Sequence, residues 1–181
     1  MPPTARLRIG LVAFAAFLGL IPLANWMVLH VGTVCVPGGG PCLLPVAPGL
    51  LAPSGVVTIG AALVLRDVVQ RCLGLAWGIG AIAAGTALSF LVAPGALVVA
   101  SGAAFLLGET ADLLIYTPLQ RRRLVLAVLA SAAAGIAIDS VVFLWLAFAS
   151  LQFLAGQIVG KLWAVGLSIP FIRLLRRVAP A

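Results

Sequence analysis

Six long apolar runs, joined by short connections and with nearly every charge held at their ends, dictate what this chain can become. They cover about Ile9 to Leu29, Pro53 to Val69, Leu75 to Val92, Ala96 to Ile115, Leu124 to Phe148 and Phe153 to Ile172. A helix rises about 1.5 Å per residue, so about 20 residues cross the hydrocarbon core of a bilayer, and each run reaches or approaches that length. A chain of 181 residues that is 64% hydrophobic and 8% charged has more apolar surface than a soluble core of that size can bury. The expected fold is all-α: a single polytopic membrane domain, residues 1–181, built as a six-helix bundle in the cell (inner or plasma) membrane.

The ten arginines fall into four groups: Arg6 with Arg8, Arg66 with Arg71, Arg121 to Arg123, and Arg173 with Arg176 and Arg177. With a cytoplasmic N-terminus all four lie on the cytoplasmic side, and the outward connections 30–52, 93–95 and 149–152 contain no Lys or Arg. This is the positive-inside distribution, and an even number of spans puts both termini in the cytoplasm. A net charge of +7 does not imply nucleic acid here, because the basic residues form no wet face with polar or aromatic neighbours. The first run resembles a secretory signal in its basic start, but it is long, is interrupted by Pro22 and Asn25 and lacks a small-x-small cleavage site, so it is read as a retained helix.

The outward loop 30–52 holds Cys35 and Cys42 around a Pro/Gly-rich hexapeptide; a disulfide there is sterically easy, and two unpaired thiols are the open alternative. Cys72 sits on the cytoplasmic side. None of the three cysteines has a His or carboxylate at metal-ligand spacing, and no metal or cofactor is expected. Pro and Gly from Pro37 to Gly55 predict an irregular segment, in which Ala52 to Gly55 lines a vestibule or is a surface loop ending in a helix start. Pro94-Gly95 predicts a tight hairpin between the third and fourth runs. Trp26, Trp77 and Trp145 lie where interfacial anchors lie. Gly78, Gly80 and Gly85, and Ser131 through Gly135, allow close helix approach, as does the G-x-x-x-G at Gly156 to Gly160.

Against this pattern stand the charges inside the runs. Lys161 is the only lysine and lies mid-run, and all four acids, Asp67, Glu109, Asp112 and Asp139, lie within or at the edges of spans. Each would cost about 2.5–3.5 kcal/mol at a helix centre, so they must face inward, pair or be neutral. Glu109 and Asp112 share one helix face with Tyr116, so a proton or a cationic partner belongs with them. Asp139 shares a face with Phe143, and Gln157 with Lys161; Trp163 follows two residues on. Arg66 and Asp67, with Ser54, form a second tier, where a snorkelling arginine and a local ion pair are the structural alternative. Buried pairs serving only as helix glue are the alternative for the others too. The one histidine, His30, has no nucleophile beside it, so an enzyme is disfavoured, and a polar cleft in a helix bundle points to a solute pathway.

Gly108-Glu-Thr-Ala-Asp-Leu-Leu-Ile-Tyr-Thr-Pro-Leu119 with the arginines after it, Asp139-Ser140, and Gly156-Gln-Ile-Val-Gly-Lys-Leu-Trp163 together resemble the VUT family of queuosine precursor transporters. Pro53-Ser-Gly and Leu65-Arg-Asp-Val-Val-Gln-Arg71 extend the resemblance, which is strongest in the last three runs. It implies uptake of 7-cyano-7-deazaguanine and 7-aminomethyl-7-deazaguanine, on a fold similar to the vitamin-binding S components of energy-coupling factor transporters. The implied partners are a small nucleobase-like solute and the lipid bilayer, and a homo-oligomer stays open.

The residues suit such a solute. One carboxylate can accept the paired N–H donors of a guanine-like edge, Lys161 or Gln157 can donate to its carbonyl, and Phe143, Trp163 or Tyr116 can cover the ring. Glu109 or Asp112 is the expected acceptor, with Asp139 and Lys161 completing the pocket or carrying a proton. The alternatives are a vitamin or other nucleobase carrier with a separate ATP-driven module, since no Walker A motif occurs, or a membrane assembly factor. Glu109→Gln is expected to abolish uptake of either base with unchanged membrane abundance; uptake by the variant at the parental rate rejects that role.

Overall fold

The structure is a computed structural model that describes residues 3–37, 40–93 and 95–178, with nothing stated of the side chains of residues 96 and 174–178. Pro94 of the expected hairpin, and the side chains of Arg176 and Arg177, lie outside this description. Six helices carry the fold: α1 (Pro3–His30), α2 (Val56–Leu73), α3 (Leu75–Val92), α4 (Val98–Leu119), α5 (Leu124–Phe148) and α6 (Leu154–Val178), with a short 3-10 turn at Gly95–Leu97 before α4. Five of them, α1 and α3 to α6, contain stretches long and apolar enough to cross a membrane. Their unpartnered faces carry residues such as Val12, Leu91, Leu114 and Leu167, all exposed and all suited to lipid.

α2 differs because Arg66, Asp67 and Arg71 interrupt it. It is the most enclosed helix: Arg66, Asp67, Gln70 and Arg71 are all buried, as are Val68 and Val69. A helix surrounded by other helices needs no lipid-facing surface, so its sequence is free to carry charges that the outer helices cannot. Glycine lets α6 approach it. A Cβ on Gly60 would stand 2.7 Å from the backbone oxygen of Lys161. α2 ends at Gly74, whose φ of 99° is a backbone state that L side chains rarely adopt; its N–H returns to the Gln70 carbonyl at 2.8 Å. The next free carbonyls of that end, on Arg71 and Cys72, accept Arg6 Nη2 at 3.0 Å and Arg6 Nε at 2.9 Å. The start of α1 is thereby fixed to the end of α2.

The helices agree with the expected α-bundle, but the expectation of an irregular outward loop needs correction. Three strands, β1 (Val34–Cys35), β2 (Cys42–Ala47) and β3 (Leu50–Pro53), form an antiparallel sheet in the order β1-β2-β3. Cys35 pairs with Cys42 in register and is joined to it by a disulfide, while Leu44 faces Ala52 and Pro45 faces Leu51. The second helix accordingly begins at Val56 and not at Pro53. The proline content concealed these strands, because Pro removes a ladder donor and normally argues against a strand; here the sheet is small and bulged between Pro45 and Ala47. The sheet lies on α6, where Gly156 leaves room for the Leu51 carbonyl and Gly160 for Val46 and Val56. So the G-x-x-x-G serves a strand and a helix start.

The apolar core runs through Phe17, Ile21, Leu63, Val68, Phe105, Val128 and Ile136. Within it, Gly108 and Gly135 bring α4 and α5 together: a Cβ on Gly135 would lie 3.0 Å from the Gly108 oxygen, and one on Gly108 would lie 2.6 Å from the Asp139 Cβ. Gly60→Ala is expected to lower stability by about 1–3 kcal/mol through overpacking against a backbone that cannot move aside. Thermal unfolding of the purified protein in detergent checks this, and an unchanged midpoint would show that the two helices can separate freely.

Candidate functional site

Two polar centres occupy the interior. In the first, Lys161 Nζ donates to Asp139 Oδ2, to Ser140 Oγ at 2.9 Å and to Gln157 Oε1 at 2.7 Å. An ammonium has three protons, and all three find acceptors. Gln157 reaches Lys161 because four residues separate them on α6, and Asp139 and Ser140 come from the facing side of α5. Lys161 and Gln157 are buried and Asp139 is nearly so.

This centre lies on the wall of a small cleft of about 50 Å3, room for a few water molecules. Asp139, Phe143, Gln157 and Lys161 line it from α5 and α6, and Asn25, Ser89, Ser101 and Phe105 from α1, α3 and α4. Asn25 accepts a hydrogen bond from Ser101 Oγ at 3.0 Å and donates one to the Ile21 carbonyl at 3.1 Å. Pro53 and Gly55, between the sheet and α2, close one side. The cleft is mostly apolar with a few fixed polar groups, the composition that binds a flat, partly polar molecule.

The second centre is built on Arg66. Its guanidinium is fully buried, donates from Nε to Glu109 Oε2 at 3.0 Å and from Nη1 to Gln70 Oε1 at 3.1 Å, and pairs through Nη2 with Asp112. Asp67 lies 2.9 Å from Nη1 without hydrogen-bond alignment. Tyr116 covers the guanidinium, 5.6 Å from its ring centre, and donates its hydroxyl to the Asp67 backbone oxygen at 3.2 Å. Gln70 continues outward to Thr117, which donates to the Leu113 oxygen, and Arg71 donates to the Gln120 oxygen.

The structure thus divides the residues selected from the sequence. Asp139, Phe143, Gln157 and Lys161 meet at the cleft. Glu109, Asp112 and Tyr116 instead surround Arg66, outside the cleft lining. Arg66 does not snorkel to an interface; it is the hub of the second centre, with Asp67 beside it. Trp163 is exposed, lies outside the cleft lining and donates its indole N–H to the Val46 oxygen at 3.0 Å, which fastens the sheet to α6. Ser54 donates to the Met27 oxygen at 2.6 Å, and its backbone N–H to the Cys42 oxygen at 3.0 Å, tying the sheet to α1.

Sequence reasoning passed over Ser140, Gln70, Asn25, Ser89, Ser101 and Phe105. Asn25 carried a readable signal as a polar residue inside a span. Phe105 carried none, since an apolar residue in an apolar helix gives no sign of which way it faces.

Residues 89–175, from the end of α3 through α6, match the family described as "putative vitamin uptake transporter". No curated protein and no solved structure matches the chain.

Removing one member of the cleft ion pair strands the other without a partner in a dry interior. Lys161→Met is expected to destabilise the fold by about 3–5 kcal/mol, and Asp139→Asn combined with Lys161→Met to recover most of that loss. A double-mutant unfolding cycle in detergent measures it, and additive losses would show that the pair is not coupled.

Proposed function

From the match of residues 89–175 to the putative vitamin uptake transporter family, we propose that the chain is a membrane transporter of that family and that it imports 7-deazaguanine bases, the precursors of queuosine. The observation that carries the reading is the convergence of a carboxylate, a carboxamide and an ammonium beside a phenyl ring at one cleft, in Asp139, Gln157, Lys161 and Phe143. A guanine-like base needs those partners. Its N1–H and 2-amino group form a two-donor edge that one carboxylate accepts side by side, and its O6 accepts from an ammonium or amide N–H.

The division between the two centres favours Asp139 as the carboxylate that meets the base, with Glu109 and Asp112 committed to Arg66 behind it. In the empty cleft Lys161 is held by Asp139, Ser140 and Gln157. The bound base takes the place of some of these contacts, giving its own donors to Asp139 and its O6 to Lys161. Phe143 and Phe105 offer ring faces or edges to the flat heterocycle. Such exchange leaves no buried polar group unpaired in either state, which a reversible binding site requires.

Direction follows from the basic residues. Arg6 joins the start of α1 to the end of α2, and Arg71 joins the end of α2 to the end of α4, so these groups gather at one end of the bundle, close in sequence to Arg121 to Arg123. That end is assigned to the cytoplasm, with both chain termini there and the disulfide-bonded sheet on the outer side. Pro53, the last residue of the sheet, and Gly55 line the cleft, so it lies next to the sheet assigned to the outer side.

Calorimetric titration of the purified protein with 7-cyano-7-deazaguanine, 7-aminomethyl-7-deazaguanine and guanine tests the reading. Binding of at least one deazaguanine is expected, weakened about 10- to 100-fold by Asp139→Asn, which loses a charge-assisted pair of hydrogen bonds. Binding that is indifferent to Asp139→Asn would remove this residue from the site. Failure of all three bases, with binding of a vitamin instead, would replace the substrate while leaving the family intact.

A further inference from the structure

The centre around Arg66 does not balance its charges. Asp67, Glu109 and Asp112 bring three carboxyls to one guanidinium. Arg71, one turn further along α2, is also buried, and counting it still leaves negative charge in excess by one. The only other acid in the sequence, Asp139, is paired with the only lysine. A buried charge in excess of its counter-charges is costly to keep ionised, so a positive charge is missing from this account.

The hydrogen bonds show where it belongs. Asp67 Oδ1 and Asp112 Oδ2 are buried side-chain atoms without a hydrogen-bond donor, and the two carboxyls close on the two terminal nitrogens of the same guanidinium, Asp67 on Nη1 and Asp112 on Nη2. Two ionised carboxylates have only acceptors and would repel at that separation; one proton between them provides the donor that both lack. Other donors around the pair are committed. Arg66 serves Glu109 and Gln70 and pairs with Asp112, and Tyr116 donates to the Asp67 backbone. Among the described residues no cluster of His, Cys, Asp and Glu has a metal-holding arrangement, the guanidinium standing where an ion would.

We propose that Asp67 and Asp112 share a single buried proton at neutral pH, making this pair the proton-binding site of the protein. Glu109 is the partner of Arg66 Nε, at 3.0 Å, and follows Gly108 directly on α4. The contact of Gly108 with the Asp139 Cβ places the proton site and the cleft on adjoining faces of the same α4–α5 interface. A base that takes Asp139 from Lys161 changes the field at Glu109, and through it the hold of the Asp pair on its proton. That coupling of proton to solute rests on the carrier reading above; the existence of the proton site does not.

Infrared spectroscopy of the purified protein in lipid nanodiscs, without any solute, tests the site directly. The carbonyl band of a protonated carboxylic acid is expected at neutral pH in the wild-type chain. Carboxyl-13C labelling of aspartate shifts the band and labelling of glutamate does not, so the proton is assigned without a substitution. Asp112→Asn and Asp67→Asn are each expected to abolish the band in protein that remains folded, and Asp139→Asn to keep it. Absence of the band in the wild-type chain, with folding dependent on sodium or potassium, would overturn the proposal in favour of a bound cation. A band that follows glutamate labelling would overturn it in favour of a proton on Glu109.

Discussion

A guanidinium enclosed on every side by protein must find all its counter-charge and acceptors among neighbouring side chains, and the position of Arg66 therefore constrains nearly everything else. It lies on the helix that lipid does not reach. Its partners Glu109 and Asp112 come from α4, so α2 and α4 are held in one rotational setting, and Tyr116 one turn on closes the remaining face. Breaking any one of these contacts exposes a charge to an environment in which solvation cannot replace it. An apolar interface could slide by a turn; this one cannot.

With α2 and α4 fixed, α5 and α6 follow by small residues. Gly108 and Gly135 let α5 approach α4, and Gly60 lets α6 approach α2, which brings Asp139 and Lys161 to a common point. One polar centre, around Arg66, is enclosed by protein. The other lies on the wall of a cleft, between α5 and α6. The sheet on α6, with its disulfide and the Trp163 bond to Val46, steadies that wall.

Much of this was legible in the sequence. The apolar runs fell close to five long helices and one enclosed one, because a hydrophobic stretch of about 20 residues has few other stable outcomes. Lys161, Gln157 and Asp139 stood out for the same reason, as a charge inside such a stretch demands a partner. Arg66 was harder to judge. Near a helix end, a snorkelling arginine and a buried one have the same sequence, and only the presence of helices on all sides distinguishes them. The strands from Val34 to Pro53 were concealed by prolines that usually forbid them. Trp163 and Tyr116 lie outside the cleft lining, on Val46 and Arg66, because the face each presents depends on a rotation that spacing alone does not give.

The sequence by itself determined that the chain spans a membrane, which segments form its helices, and that the acids, Arg66 and Lys161 within them need internal partners. Hydrophobic length and the cost of burying charge are local properties, readable one segment at a time. Tertiary structure alone decided which charge meets which: Glu109 and Asp112 with Arg66, Asp139 with Lys161. That choice depends on the rotation of each helix about its axis, set jointly by glycine contacts and ion pairs between segments far apart in the chain, so no single segment contains it.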